Sequence, residues 1–495
     1  MSRAIYTGSN EAPRSRLPPR TVTPHLRAMP GLLTHLGRRA LLHNRARVDR
    51  FKLASRAHVR ARLLADARIA EAVREHAATA HVSERDAWRT VDGYVQEIVP
   101  FFNVVAYYQI GYRISGWLLN LFYKVSVDFA EPRARERLPR DAVIVYVMNH
   151  RSNADYVLVS YALAGQVAIS YAVGEWARAF PLEHVFKAFG SYFIRRRYRE
   201  PLYHAVLERY VQLITREGVT QGIFVEGGLT RDGKLRPPKI GLLDYVLGIG
   251  RDPAYASRLH VVPVAVNYDR VLEDRSLLRE LEAKEGGRRP PRLVQAWEVG
   301  RYVGANVVRL VTRQWKRYGR AAVVVGAPVP LGPWFREQSD LFALEKPERL
   351  ARVQALCDEL LGRVGALIPV TPVPLVCAAI QSFDGEFVAR DRLLERIDEM
   401  RGVLRELNAG VVRQDRTAEE IFERAYRMLR MRKVIARTGT GYLVLPRGRP
   451  LVSYYANSVA HLLGPFSGAV RLRDALPSMI GLQSSSGAAS GSSLG

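Results

Sequence analysis

The chain has 495 residues, 48% of them apolar, and carries a formal net charge of +26 with a pI near 10.3. That length accommodates two or three domains around a large buried core, and the apolar share is that of an ordinary globular protein. Two cysteines, Cys357 and Cys377, exclude a disulfide framework, and no zinc-finger spacing or RNA-recognition segment accompanies the basic charge.

Of the 74 basic residues nine are Lys, leaving 65 Arg. A surface of this sign implies anionic partners: an anionic membrane lipid or a phosphate-bearing substrate, with nucleic acid supported by charge alone. Residues 1–50 hold ten Arg against Glu11 and Asp49, with many Pro and Thr. They read as a basic, partly disordered segment with a lipid-facing role. Residues 51–135 read as helical, opening with a charged amphipathic helix over 56–67. Within them, Ile98 to Val127 is the most apolar stretch, but Arg113 and Lys124 interrupt it and Pro100, Asn103 and Gln109 dilute it. Its aromatic residues and flanking cations fit either the lipid–water interface or a core helix.

From 136 to 335, short β-branched runs alternate with helical patterns. Strands are expected at 142–148, 167–173, 191–194, 222–226, 260–266 and 321–327. This alternation predicts an α/β domain with a mostly parallel sheet and flanking helices. The first strand runs into Asn149-His150-Arg151-Ser152-Asn153-Ala154-Asp155-Tyr156. A neutral imidazole can take a proton from a hydroxyl, and a carboxylate can fix its tautomer and stabilise the imidazolium. The same spacing also suits a structural loop histidine. A second block, Gly190-Ser191-Tyr192-Phe193-Ile194-Arg195-Arg196-Arg197, ends in guanidinium groups. These suit either a solvated strand end or a phosphate clamp. A third runs from Gly222 through Glu226-Gly227-Gly228-Leu229-Thr230-Arg231 to Lys234, a glycine turn with an acid at its lip. It lacks P-loop spacing. A fourth, Val261 to Tyr268, carries Pro263, which suggests an edge or bulged position near the site.

Beyond the fourth block, Arg301, Arg309, Arg313, Lys316, Arg317 and Arg320 fall largely on one side of a helix expected at about 300–318. That face suits solvent or contacts with lipid and carrier phosphates. Residues 340–483 read as a helical region, including helices at 347–364 and 385–407, and 484–495 as a flexible Ser/Gly tail.

Taken in order, the four blocks resemble the glycerol-3-phosphate acyltransferase family, with its His-Arg-Ser-x-x-Asp-Tyr, Gly-x-Phe-Phe-Ile-Arg-Arg, Phe-Val-Glu-Gly and proline-bearing strand motifs. Arg236-Pro237-Pro238-Lys239-Ile240-Gly241, Ala366 to Val376 and Ser453 to Leu462 are similar to further family segments. The resemblance covers residues 96 to 465. It implies transfer of a fatty acyl group from acyl-CoA or acyl carrier protein to the sn-1 hydroxyl of glycerol 3-phosphate, giving lysophosphatidate. No cofactor or metal is called for, the thioester being a co-substrate. His150 and Asp155 are the implied catalytic pair. Arg195, Arg196 and Arg231 are the implied phosphate ligands. Glu226, Gly227 and Gly228 would orient the acceptor, and Pro263 would shape the pocket wall. Two positions depart from the family: Leu229 stands where an arginine is usual, and Asn153 where a histidine is frequent. The first leaves dihydroxyacetone phosphate and lysophosphatidate open as acceptors. A catalytically silent membrane-binding scaffold is the alternative of another class, against which His150 and Asp155 both stand intact. A peripheral location on the cytoplasmic face of the cell membrane follows from the absence of a clean spanning helix.

Overall fold

The computed structural model describes residues 51, 55–102, 107, 112–163, 168–174, 182–195, 198–284 and 318–463. Residues 1–50, Arg196, the basic stretch at 300–317 and the tail at 484–495 lie outside them. The strands of the central sheet are β1 (Lys124–Phe129), β2 (Val143–Met148), β3 (Ser170–Val173), β4 (Tyr192–Phe193), β5 (Gln221–Phe224), β6 (Leu259–Tyr268), β7 (Arg320–Val325) and β8 (Val329–Pro330). Their order is β1-β7-β6-β2-β5-β3-β4, with β8 also beside β6. Strands β6, β2, β5, β3 and β4 run parallel, while β7 and β8 pair with β6 antiparallel. All six expected strands are present.

Parallel strands covered on both faces need apolar side chains pointing both ways, and β2, Val-Ile-Val-Tyr-Val-Met, is buried along its whole length. Its odd-numbered valines join one core, with helices Ala67–Ala80, Glu84–Ile98, Pro201–Arg216 and Lys346–Ala366. Ile144, Tyr146 and Met148 join the other, with helices Asp155–Leu163, Pro372–Gln381, Ala418–Met431 and Arg449–Asn457. Ser55, Asp66 and Ser83 cap successive N-terminal helices. Asp66 thus starts a new helix, so the expected helix at 56–67 ends at Leu64. Asp66 also receives a two-pronged bond from Arg209, which fastens the N-terminal helices to helix Pro201–Arg216.

Several elements differ from expectation. Residues 124–129 form β1 rather than helix, because their alternating Val-Ser-Val-Asp pattern finds a partner in β7. The C-terminal region is not wholly helical. Strands β9 (Phe387–Ala389), β10 (Ile435–Thr438) and β11 (Gly441–Val444) form a small antiparallel sheet, β10-β11-β9. Gly439, at φ +55, turns the hairpin between β10 and β11. Arg320 opens β7 instead of continuing a basic helix.

Pro263 lies in an interior strand, not at an edge. Its carbonyl accepts from Gly326 N at 2.8 Å on the side where β7 has ended and β8 not yet begun. Its missing N–H therefore falls in a gap of the ladder, where no strand residue needs it. Among the described residues no helix is long and apolar enough to cross a membrane. The described residues between 98 and 127 include the end of helix Glu84–Ile98, helix Tyr112–Phe122 and the start of β1.

Candidate active site

The parallel ladder stops at Met148, and the next side chain extends it. Asn149 donates from Nδ2 to Val266 O at 3.0 Å and accepts from Val266 N at 2.9 Å. The turn that follows is thereby clamped against β6, and His150 leaves the sheet at its carboxyl edge, the usual place for a site in a parallel sheet. The His150 ring stacks on Phe224 at the end of β5, centroids 4.1 Å apart, and meets Tyr156 edge-on. Its Nδ1 lies 2.9 Å from Asp155 Oδ2. That oxygen also accepts from Arg151 N at 2.7 Å and Ser152 N at 3.0 Å, while Oδ1 accepts from Tyr268 OH at 2.5 Å. An acceptor-only carboxylate needs Nδ1 to carry the proton, which leaves Nε2 as the free base. Among the described residues Nε2 makes no hydrogen bond, so the imidazole is oriented from one side and available on the other.

Four further groups brace this turn. Glu226, buried after β5, accepts from His150 N at 2.8 Å and Arg236 N at 2.9 Å. Burial raises its carboxyl above the ordinary value, opposed by the Arg151 charge and by those N–H groups. Glu273, after β6, accepts from Ser152 Oγ at 2.7 Å and Asn153 N at 3.2 Å. Its carboxyl is also raised, first by burial and further by Asp155. Ser152 Oγ bonds Ala154 N at 3.1 Å, bracing the turn just ahead of the helix that starts at Asp155. Arg151, 1% exposed, donates to Gly233 O and to Ser458 O, joining the histidine turn, the glycine-rich turn and the C-terminal helical region. Asn457 Nδ2 reaches Asp232 O at 2.8 Å in the same place.

The remaining sequence-derived candidates lie along the same edge or beside it. Gly227 has φ +64, and a Cβ there would come within 2.7 Å of Lys239 Cδ, so a glycine is required and the lysine stem covers the turn. Gly228 is buried next to it. Arg231 pairs with Glu280 at 3.1 Å on the protein surface. Arg195 follows β4, three strands from β2, or about 14 Å at a strand spacing of about 4.8 Å. Its guanidinium is engaged by Glu97, at 2.9 and 2.6 Å, and is surrounded by the rings of Tyr94, Tyr198 and Tyr203. The glutamate raises the arginine's pKa. Pro263 faces Gly326 and Leu367 with the core opposite to the one that receives Met148. The structure thus brings His150, Asp155, Glu226 and Gly227 together, and holds Arg195 and Arg231 in ion pairs with other elements. No group of three His, Cys, Asp or Glu among the described residues is arranged to hold a metal.

Residues 131–267 match the family model described as Acyltransferase, and residues 305–468 match Glycerol-3-phosphate acyltransferase C-terminal region. Both matched regions and the relatives below mark the chain as similar to the glycerol-3-phosphate acyltransferases. Proteins named glycerol-3-phosphate acyltransferase from Aeromonas hydrophila subsp. hydrophila and Pseudoalteromonas translucida are 28% identical over 80% of this chain and 24% identical over 87% of it. The alignments cover 48% and 51% of those proteins, so the chain spans about half the length of the curated relatives it matches. The solved 1-acyl-sn-glycerophosphate acyltransferase of Thermotoga maritima overlaps 48% of this chain and 76% of its own, at 19% identity and a TM-score of 0.28.

At this sheet edge, sequence reasoning passed over Asn149, Arg151, Tyr268 and Glu273. The first three stand inside the quoted blocks without an assigned role. Buried polar residues at strand ends are the signal that could have found them, since each needs a partner. Glu273 stands in a polar loop and carries no such signal.

Proposed function

We propose that this protein transfers a fatty acyl group from an acyl-CoA or acyl carrier protein thioester to the sn-1 hydroxyl of glycerol 3-phosphate, forming lysophosphatidate. The observation that carries the reading is His150 tethered through Nδ1 to Asp155, with Nε2 unengaged among the described residues. In the proposed reaction Nε2 takes the proton of the acceptor hydroxyl as its oxygen attacks the thioester carbonyl. The new ester bond forms, the carbon–sulfur bond breaks, and the imidazolium returns its proton to the departing thiolate. Asp155 stabilises the imidazolium between the two transfers. No acyl-enzyme is needed, because the thioester is already activated.

Two acceptors remain in play beside glycerol 3-phosphate, and Leu229 is the reason. It is half-buried against the core where a cation is usual, so phosphate recognition falls to other residues. Arg236, which donates to Leu229 O at 3.3 Å, is the neighbouring cation that can replace it. Dihydroxyacetone phosphate and lysophosphatidate are therefore included in the test. Peripheral attachment to the cytoplasmic face of an anionic membrane belongs to the same proposal. It is supported by Trp117 and Ile114, 62% and 51% exposed on helix Tyr112–Phe122, and by the adjoining Leu118. That helix packs through Gly116 on Tyr161, in the helix that Asp155 begins. Lipid bound at this face would lie next to the site.

The test is a panel of the three acceptors with a radiolabelled acyl thioester and the purified full chain in detergent. His150→Ala is expected to lose about 10²–10⁴-fold in turnover while melting like the wild type. Undiminished transfer by that variant would remove the general-base reading.

A further inference from the structure

We propose that Tyr268 is a positioning residue for acyl transfer, acting through Asp155 to hold the His150 imidazole in its reactive state; this rests on the general-base reading of His150. Tyr268 closes β6, beside β2 in the sheet, and its hydroxyl donates to Asp155 Oδ1 at 2.5 Å. Its ring is fully buried and packs against Tyr123, centroids 5.3 Å apart. The other Asp155 oxygen serves His150 Nδ1 and two backbone N–H groups. The tyrosine is therefore the one side chain among the described residues, besides His150, that bonds this carboxylate.

Two consequences follow from the geometry. The bond fixes the rotation of the carboxylate, so that Oδ2 faces the imidazole instead of swinging away. It also draws off part of the negative charge, and a less basic partner binds imidazolium less strongly. The hydroxyl stays protonated throughout, because burial and then the Asp155 charge push its own pKa well above the usual tyrosine range. The other charged or titratable groups facing the pair are Arg151, Tyr156, Glu226 after β5, Glu273 after β6, Tyr123, and Tyr454 on helix Arg449–Asn457.

The experiment compares Tyr268→Phe with full-length protein carrying a fluorinated tyrosine at 268, in which the hydroxyl is a stronger donor. The phenylalanine keeps the ring contact with Tyr123 and is expected to fold. Its kcat should fall about ten- to hundredfold, the loss of one charge-assisted hydrogen bond, with both KM values little changed. The acidic limb of its kcat/KM profile should move to higher pH, and the fluorinated protein's to lower pH. A tyrosine needed only for packing would move neither limb. A folded Tyr268→Phe with wild-type kcat and pH profile overturns the proposal. Full activity in His150→Ala would instead overturn the base reading beneath it, so the two failures are told apart.

Discussion

Asp155 offers a sharp separation between stability and chemistry. Its carboxylate receives four donors: His150 Nδ1, Arg151 N, Ser152 N and Tyr268 OH. Asp155→Ala leaves all of them without an acceptor in a site closed to water. Setting the histidine aside, three buried donors at about 1–3 kcal/mol each amount to about 3–9 kcal/mol. That is comparable with the entire stability of a typical domain, about 5–15 kcal/mol. Asp155→Asn is different. Its amide oxygen can stand in the Oδ2 position and keep the three bonds made there. Its NH₂ then faces the Tyr268 hydroxyl, which can turn and accept. The tautomer of His150 is preserved and only the carboxylate's charge is lost. The expected result is a variant that melts within a few degrees of wild type but has lost about 10²-fold or more in kcat, within the range a general base supplies. Asp155→Ala should be poorly soluble or melt far lower. Thermal melts with single-turnover transfer from a labelled thioester measure both. Equal melting of the two variants would refute the donor count, and near-normal kcat in the asparagine variant would refute the need for the charge.

Arg195 and Glu97 should respond as a couple. Arg195→Ala is expected to lower stability by about 1.5–3 kcal/mol, and Glu97→Gln to release the guanidinium and lower the acceptor's KM if Arg195 reaches phosphate; melts and acceptor titrations separate the two roles. Glu226 has a raised carboxyl, so the fold favours its protonated form. Its contribution is full below the ordinary value of 4.5 and is lost as pH rises through the raised one. The stability advantage of wild type over Glu226→Gln, read by urea unfolding from about pH 4 to about pH 8, should therefore shrink with rising pH, and a growing advantage would contradict it. Trp117→Glu should cut binding to anionic vesicles several-fold with no change in melting, because the indole is 62% exposed; unchanged co-sedimentation would remove helix Tyr112–Phe122 from the lipid contact.

Features that depend on neighbours in sequence were legible. His150 and Asp155 are five residues apart at a strand end, and the turn between them is local. The strands carrying the four blocks announced themselves as continuous apolar runs, because both faces of a parallel sheet are covered. What depends on distant pairing was not legible. Tyr268 reaches Asp155 across 113 residues, and Arg195 meets Glu97 across 98. A run of arginines after a strand reads as a clamp until the carboxylate that occupies one of them is seen. Pro263 suggested an edge or bulged position because its lost donor had to go somewhere, and the gap between β7 and β8 that accommodates it is invisible in sequence. Strands β1 and β9–β11 are three to six residues long, so their periodicity was too short to outweigh the helices around them.

The acids crowded around His150 have a common cause. At the carboxyl edge of a parallel sheet the chain leaves the ladder, and the N–H groups of each turn lose their strand partners. Glu226 takes those of His150 and Arg236, Asp155 those of Arg151 and Ser152, and Glu273 that of Asn153. Glu226 and Glu273 therefore fix the turn that carries Asp155, Asp155 fixes its own, and cations must balance the three. Arg151 does so beside Glu226, and its two terminal nitrogens donate to Gly233 O and Ser458 O. Further out, Asp274, adjacent to Glu273, is held by Arg432 at 2.6 Å and by Tyr455 OH at 2.5 Å. Ser458, Arg432 and Tyr455 lie in the region matched at 305–468, whereas His150 and Glu226 lie in that matched at 131–267. The two matched regions consequently meet at one site. A truncation after β8 would leave Arg151 without Ser458 O, and Asp274 without its arginine. The histidine turn would then lose its support from below, even though neither His150 nor Asp155 had been touched.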